Sequence, residues 1–595
     1  MSPLQRVDGF APIGEYAVLG DGRTVALLAL DGNVDWWALP ALDSPPVLSG
    51  LLDPDGGGRL ALAPSGGYKV ARCYLDGSNV IETTYTTTTG VARVTAALNL
   101  GSAGPLPWTE LAQRIDVLAG FVDLNWALTP GNRFGRATPC LTDCHGTPVA
   151  HIEDQTLGVI VDGLGPAAIT SHSVSGCDRL HEGSRALLAV VATDAEPLFV
   201  PTPAAIQSRL DRTISSWRRW AALLPNGGRW SFAVRRSALA IKTLLAEHSG
   251  AIAAAATTSL PERIGGTKNW DYRYAWIRDS SFTLDALLNL GLHEEVHGAV
   301  SWLLSAVRDN GGDLHVLYTL DGSVADRQAT LDSPGWRHSQ PVRSGNSASG
   351  QIQLGTYGDL FDTISRYCAE GHLIDRATGR MLADLADRCC DGWQARDSGI
   401  WELETCRHYT ISKIGCWVAL DRAAHLAEAG QLPCRHVDRW REGAEQIRAW
   451  VNAHCWSDPK QAYTFYAGTE DLDAAVLLAG RTGFERGPRL ASTIDAIVTE
   501  LGHGPLLYRY TGMQEEEGAF VACSFWMVDA LVQTGQTERA RHIMEGALAL
   551  ANDVGLFSEQ IDPETGAFLG NIPQGLSHLA LINAAFTLQR ACDHQ

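Results

Sequence analysis

The sequence is short of positive charge, with 47 Lys and Arg against 67 Asp and Glu and a formal net charge of −20 at pH 7. Phosphate backbones and anionic membrane surfaces are held by clustered Lys and Arg. Neither nucleic acid nor membrane is therefore expected as a partner, and a neutral one fits better. No apolar run approaches the roughly 18 residues of a membrane span. The opening residues MSPLQRVDGFAPIGEYAV hold no basic stretch leading into an apolar one. No secretion signal is read there, and the expected location is cytoplasmic. The 13 cysteines are odd in number and scattered, which favours reduced thiols over a disulfide framework.

What is present is a globular composition, 45% apolar and 19% charged over 595 residues, long enough for two or more domains. The first 200 residues read as β structure. Short runs rich in Val, Ile, Thr and Leu lie at 24–30, 59–63, 79–87, 91–100, 157–163 and 185–193, separated by Asp-Gly and Gly-Asn turns. That spacing predicts a β-sandwich. Residues 201–228 carry an amphipathic helix that reads as a helical linker. Residues 229–595 are helical in pattern, with segments predicted at 230–247, 280–308, 353–371, 378–394, 411–429, 435–454, 471–480, 488–502, 521–534, 536–552 and 575–592. No period of 30–45 residues recurs, which argues against a solenoid. The expected fold is thus multidomain β + α, an N-terminal β-sandwich followed by an (α/α)6 barrel, with chemistry on the loops at one rim.

Four loops are dense in aromatic and charged residues. GGTKNWDYRYAWIRDSSF (265–282) sets Trp270, Tyr272, Tyr274 and Trp276 among Asp271, Arg273, Arg278 and Asp279. Aromatic faces suit the apolar faces of a sugar ring, and a carboxylate beside an arginine offers acceptor and donor to hydroxyls. The same residues equally suit an Arg–Asp pair at a helix start. In DSGIWELETCRHYT (397–410), Glu402 follows Trp401; packed against an indole its carboxyl would lose hydration and stay protonated near neutral pH, as a general acid must. A lone Trp-Glu dipeptide is more often an exposed helix start. In 556–578, Glu559 follows an apolar stretch, whereas Asp562 and Glu564 belong to a solvated turn. In 507–526, Arg509 and Tyr510 could bind hydroxyls, and Glu515 to Glu517 read as a solvated acidic run ahead of a helix.

Together these stretches, with GDGRTVALLALDGNVDWWALPALDSP (20–45) and QPVRSGNSASGQIQLGTYGDLFD (340–362), resemble glycoside hydrolase family 15 over almost the whole chain. The family comprises glucoamylases and related trehalases and glucodextranases, and the match is to its bacterial and archaeal branch. The resemblance implies Glu402 as general acid and Glu559 as general base. It implies Arg278 and Asp279 as the pair gripping the terminal glucose, Tyr272 and Trp276 as rings of its pocket, Trp401 beside the acid, and Arg509 as a further sugar contact. The reaction it implies is inverting and exo-acting. It would release β-glucose from a small α-glucoside such as trehalose or a short oligosaccharide, with the two carboxyl groups roughly 6.5–9.5 Å apart. Leu403 stands where fungal glucoamylases carry a second acid, which weakens the case for raw starch.

No metal and no cofactor are expected. Cys406 with His408, Cys389 beside Cys390, and Cys434 with His436 are the nearest approach to a zinc set, without C-x2-C or H-E-x-x-H spacing. A zinc-dependent α/α-toroid enzyme is one alternative. A non-catalytic sugar-binding protein on the same scaffold is the other. A homo-oligomer is the default expectation for an intracellular enzyme. The 338–349 stretch and Trp36-Trp37 are candidates for shaping a leaving-group subsite.

Overall fold

The computed structural model describes residues 5–102, 104–325 and 328–593. The first four residues, which open both the expected sandwich and the segment read for a leader, lie outside them, as do the last two of the expected barrel. Strands fill the first third of the chain and helices most of the rest.

The strands form two antiparallel layers that share one long strand, Thr109–Thr129. Its first half pairs with Gly90–Leu98 and Arg185–Asp194. Its second half pairs with Arg59–Pro64 and Val174–His181. The first layer continues through Asn33–Ala38, Val25–Ala29 and Tyr16–Gly20, the second through Tyr68–Tyr74 and Ile81–Thr87 on one side and Gln155–Asp162 on the other. Trp36, Trp37 and Trp126 are buried in the apolar core. The expected runs all lie on strands, but the sharing strand was not among them.

Helix α1 (Pro203–Ala221) starts at Thr202, whose side chain caps the Ala205 N–H. Its buried face lies against the sandwich, where Arg209 meets Glu110 in a buried ion pair. The barrel follows: α2 (Ser231–Leu244), α3 (Ile277–Asn289), α4 (His293–Asp309), α5 (Gly355–Ala369), α6 (Arg376–Gly392) and α7 (Thr410–Glu428). Then come α8 (Val437–His454), α9 (Leu478–Thr482), α10 (Pro488–Leu501), α11 (Val521–Gln533), α12 (Thr537–Leu548) and α13 (Gly575–Asp593). Helices α3, α5, α7, α9, α11 and α13 touch in succession and close a ring, and the even-numbered helices pack outside it. Inner helices α7, α11 and α13 are buried nearly all round, whereas α6 and α8 bury a single face. That contrast is what an inner and an outer layer require. Two expectations fail in detail: the segment 280–308 is two helices, broken at Leu290–Leu292, and of 471–480 only Leu478 onward is α-helical, after a 3-10 turn at Ala474–Leu477. Among the described residues no helix is long and apolar enough to cross a membrane.

Candidate active site

The loops leading into the inner helices, with the first turn of α3, carry the candidate catalytic and sugar-binding residues, so closing the ring brings together side chains distant in sequence. Asp279 lies in the first turn of α3, where the positive end of the helix favours a carboxylate. Arg278 Nε donates to Asp279 Oδ1 at 2.8 Å. From the loop before α7, Glu402 enters the same space with a left-handed backbone (φ 62°). Its Oε1 accepts from Trp276 Nε1 at 2.7 Å and lies 3.5 Å from Arg278 Nη1, which also donates to the Ile400 carbonyl. Gln351 Nε2 holds the Glu402 carbonyl at 2.9 Å. Glu402 Oε2 has no hydrogen-bond partner among the described residues, and the side chain is 17% exposed. Burial raises its carboxyl above the usual range; Arg278 and the Trp276 N–H oppose this and Asp279 reinforces it.

Glu559 comes from the loop before α13 and is 1% exposed. A three-stranded sheet of Ala519–Phe520, Gln560–Ile561 and Phe568–Leu569 fixes that loop. Neither carboxylate oxygen has a well-directed partner. Burial pushes its pKa up to about 7 against the pull of Arg509 and Tyr272. The Tyr272 ring meets Trp276 edge-on at 5.2 Å. After burial, the charges of Glu559, Glu262 and Glu402 raise the Tyr272 phenol furthest, so one phenol feels both candidate carboxylates.

Arg509 is buried between acids. Its Nε donates to Glu517 Oε1 at 2.5 Å, and its Nη2 donates to Glu262 Oε2 at 2.7 Å and to Glu517 Oε2. The guanidinium lies over the Trp401 ring at 5.4 Å. Trp401 Nε1 is held in turn by Asp473 Oδ1 at 2.8 Å, and burial raises Asp473 to about 7. Glu262, Glu517 and Asp473 were not singled out by sequence. The expectation of a solvated acidic run holds for the exposed Glu515 and Glu516 and fails for Glu517, which is 5% exposed and turned onto Arg509.

The remaining candidates divide between the site loops and other parts of the molecule. Trp36 and Trp37 are fully buried and offer no face to a ligand. The 338–349 stretch packs on the aromatic loop: Arg343 covers the Trp270 ring at 4.1 Å, and Gly345 N–H donates to Asp271. Of the possible zinc ligands, His436 is bonded to Asp387 at 2.6 Å and His408 packs on Trp450. Among the described residues no three His, Cys, Asp or Glu side chains gather as a metal site.

With this geometry in hand, comparison with known proteins is informative. The sequence model of "Glycosyl hydrolases family 15" matches residues 228–586, and that of "Trehalase-like, N-terminal" matches 7–103. The trehalase of Mycolicibacterium smegmatis is 34% identical over 98% of this chain and 92% of its own length. The trehalase of Thermoplasma volcanium is 30% identical over 98% of this chain and 95% of its own. Among solved structures, a bacterial glucoamylase complexed with acarbose superposes with a TM-score of 0.72 over 99% of this chain and 97% of that one, at 13% identity. That likeness concerns the fold, a β domain ahead of an (α/α)6 barrel. The barrel match and the near-full-length relatives lead to one assignment: this chain belongs to glycosyl hydrolase family 15 and is a glycoside hydrolase.

Proposed function

We propose that the protein hydrolyses a small α-glucoside, with trehalose the first substrate to test, by a single inverting displacement at the terminal glucose. The observation that carries this reading is the asymmetry of the two buried glutamates around Tyr272. Glu402 has one oxygen tied to Trp276 and the other unpaired, with its acidity weakened by burial. That is the arrangement of a general acid, whose free oxygen delivers a proton to the glycosidic oxygen. Glu559 has two unpaired oxygens and a pKa near 7, so it is substantially ionised at neutral pH and can take a proton from water. The proton balance closes: Glu402 gives one to the leaving hydroxyl, Glu559 receives one from water, and solvent resets both.

In this reading Arg278 and Asp279 grip hydroxyls of the terminal glucose, and Trp276, Trp401 and Tyr272 wall the ring. Arg509 supplies a further donor. Trehalose leads because the near-full-length relatives are trehalases. The 6.5–9.5 Å carboxyl separation that inversion requires belongs to the same proposal.

The test is a panel of α-glucosides with the product anomer followed by NMR. Inversion places the β-anomer on the attacked ring, and α-configured product at that ring would overturn the mechanism. Glu402→Gln and Glu559→Gln should each lower kcat by roughly 10²–10⁴-fold while the circular dichroism spectrum is unchanged. Near wild-type turnover in either variant would remove that residue from its role.

A further inference from the structure

Arg509 is held by two carboxyl groups that come from different loops. Glu262 and Glu517 both bind the guanidinium, at 1% and 5% exposure, and Lys268 Nζ shares Glu517 at 3.0 Å, so Glu262 is the acid that has Arg509 as its hydrogen-bond partner without a second cation bonded to it. A buried ion pair is weak evidence for stability, and a doubled grip on one guanidinium is better read as fixing its geometry. Resting on the hydrolytic reading above, we propose that Glu262 is a positioning residue: with Glu517 it fixes Nε and Nη2 of Arg509, so that Nη1 is presented to a hydroxyl of the bound sugar.

The hydrogen-bond pattern supports this directly. All the bonds of the Arg509 guanidinium go through Nε and Nη2, and Nη1 has no partner among the described residues. Nor is Nη1 among the buried atoms left unpaired, so it is accessible, in a side chain only 9% exposed. The plane of the guanidinium is set by Trp401 at 5.4 Å and Phe520 at 5.8 Å. Two rings fix the plane, and two acids fix rotation within it.

Glu262 also sits where a shift would reach the candidate base. The Pro261 carbonyl accepts from Gly570 N–H at 2.8 Å, and the Glu262 carbonyl from Gly518 N–H at 3.0 Å. Gly570 lies against the Glu559 carboxylate. The charged groups facing Glu262 come from several segments: Arg509, Glu517, Glu559, Lys268 and Arg343. Its Oε1 is unpaired and buried, and burial with Glu517 and Glu559 favours its neutral form against Arg509 and Lys268. A neutral Glu262 still accepts from Nη2 through Oε2, so the orienting role survives protonation.

The experiment is steady-state kinetics on the best α-glucoside for Glu262→Gln and Glu262→Ala, each alone and combined with Arg509→Lys. Glu262→Ala should raise KM and lower kcat/KM by roughly 10–100-fold, the cost of one mis-set charged hydrogen bond. Glu262→Gln, which keeps an acceptor for Nη2, should recover most of that loss. If Glu262 acts through Arg509, adding Glu262→Ala to Arg509→Lys should cost less than about 3-fold more, because the two changes break one unit. A wild-type KM in Glu262→Ala, or losses that multiply in the double variant, would overturn the proposal. Should Glu262→Ala fail to fold, Glu262→Leu, which fills the space without accepting from Nη2, decides: a raised KM that is not compounded by Arg509→Lys supports the role, and an unchanged KM ends it. A wild-type protein that cleaves nothing in the panel overturns the hydrolytic reading itself, a different result from normal cleavage with an indifferent Glu262.

Discussion

At the scale of single residues the site is built by withholding partners. Glu559 is buried with two unpaired oxygens, so its ionised form is costly in the folded protein. Its folded pKa of about 7 lies above the ordinary 4.5. The folded state therefore binds the extra proton across that interval, and the penalty is absent below pH 4.5, grows towards pH 7 and is complete above it. Glu559→Gln should raise stability at pH 8 by on the order of 2–3 kcal/mol and by little at pH 4, measured by denaturant unfolding. An equal gain at both pH values would show that the carboxylate pays no such penalty. Gly570 makes a steric prediction at the same place. Its φ is +69°, and a Cβ there would stand 2.4 Å from Glu559 Oε2. Gly570→Ala should displace the carboxylate and lower kcat by at least about 10-fold with the helical spectrum intact; unchanged kcat would place the carboxylate elsewhere. Glu402 and Glu559 could be singled out in sequence because an apolar flank marks a carboxyl for desolvation. Glu262 and Glu517 could not, since their burial depends on which loops the ring brings to Arg509, and Glu517 differs from its exposed neighbours only by turning inward.

Among elements, helical segments were legible in both layers, the inner α7, α11 and α13 included. Outer helices such as α6 and α8 show one apolar face, and their segments were read as helices. Helices α3 and α4 merged into one segment because only Gly291 with its flanking leucines parts them. The shared strand Thr109–Thr129 went unread because its first half is buried on both faces and only its second half alternates, so no single period runs through it. Packing within the ring gives a test. A Cβ on Gly358 of α5 would lie 2.5 Å from the Gly415 carbonyl oxygen and 2.7 Å from its Cα, so α5 and α7 touch backbone to backbone there. Replacing a helical glycine by alanine gains about 0.5–1 kcal/mol from reduced backbone entropy. Overpacking against backbone costs about 1–3 kcal/mol, and here the clash wins. Gly358→Ala should destabilise by about 1–2 kcal/mol, whereas Gly298→Ala in α4, where the nearest atom to a new Cβ is 4.0 Å away, should stabilise. A gain at both positions would mean that α5 and α7 part freely.

Across the whole molecule the sandwich is a brace for the barrel's site loops. Arg273, in the loop that carries Tyr272 and Trp276, is paired with Asp271 and donates through Nη1 to the Ser44 carbonyl at 2.7 Å. Trp336 donates to the Ala11 carbonyl, and Asn552 to the Gly14 and Tyr16 carbonyls. The strongest cross-link is Arg72, whose buried guanidinium meets Asp553 in a two-pronged pair at 2.7 and 2.8 Å and also donates to the Leu28 carbonyl. Asp553 lies six residues before Glu559, so this pair ties the sandwich to the loop carrying the candidate base. Arg72→Ala strands a half-buried carboxylate and removes the strap, a loss of about 3 kcal/mol. Because the strap joins the sandwich to the barrel, the loss should appear as lost cooperativity: calorimetry should resolve two transitions in Arg72→Ala where the wild type shows one. Glu402→Gln, which touches no sandwich residue, should keep the single transition. If Arg72→Ala unfolds in one step at the wild-type temperature, the sandwich and the barrel are coupled by their apolar contact alone and the ion pair is ornamental.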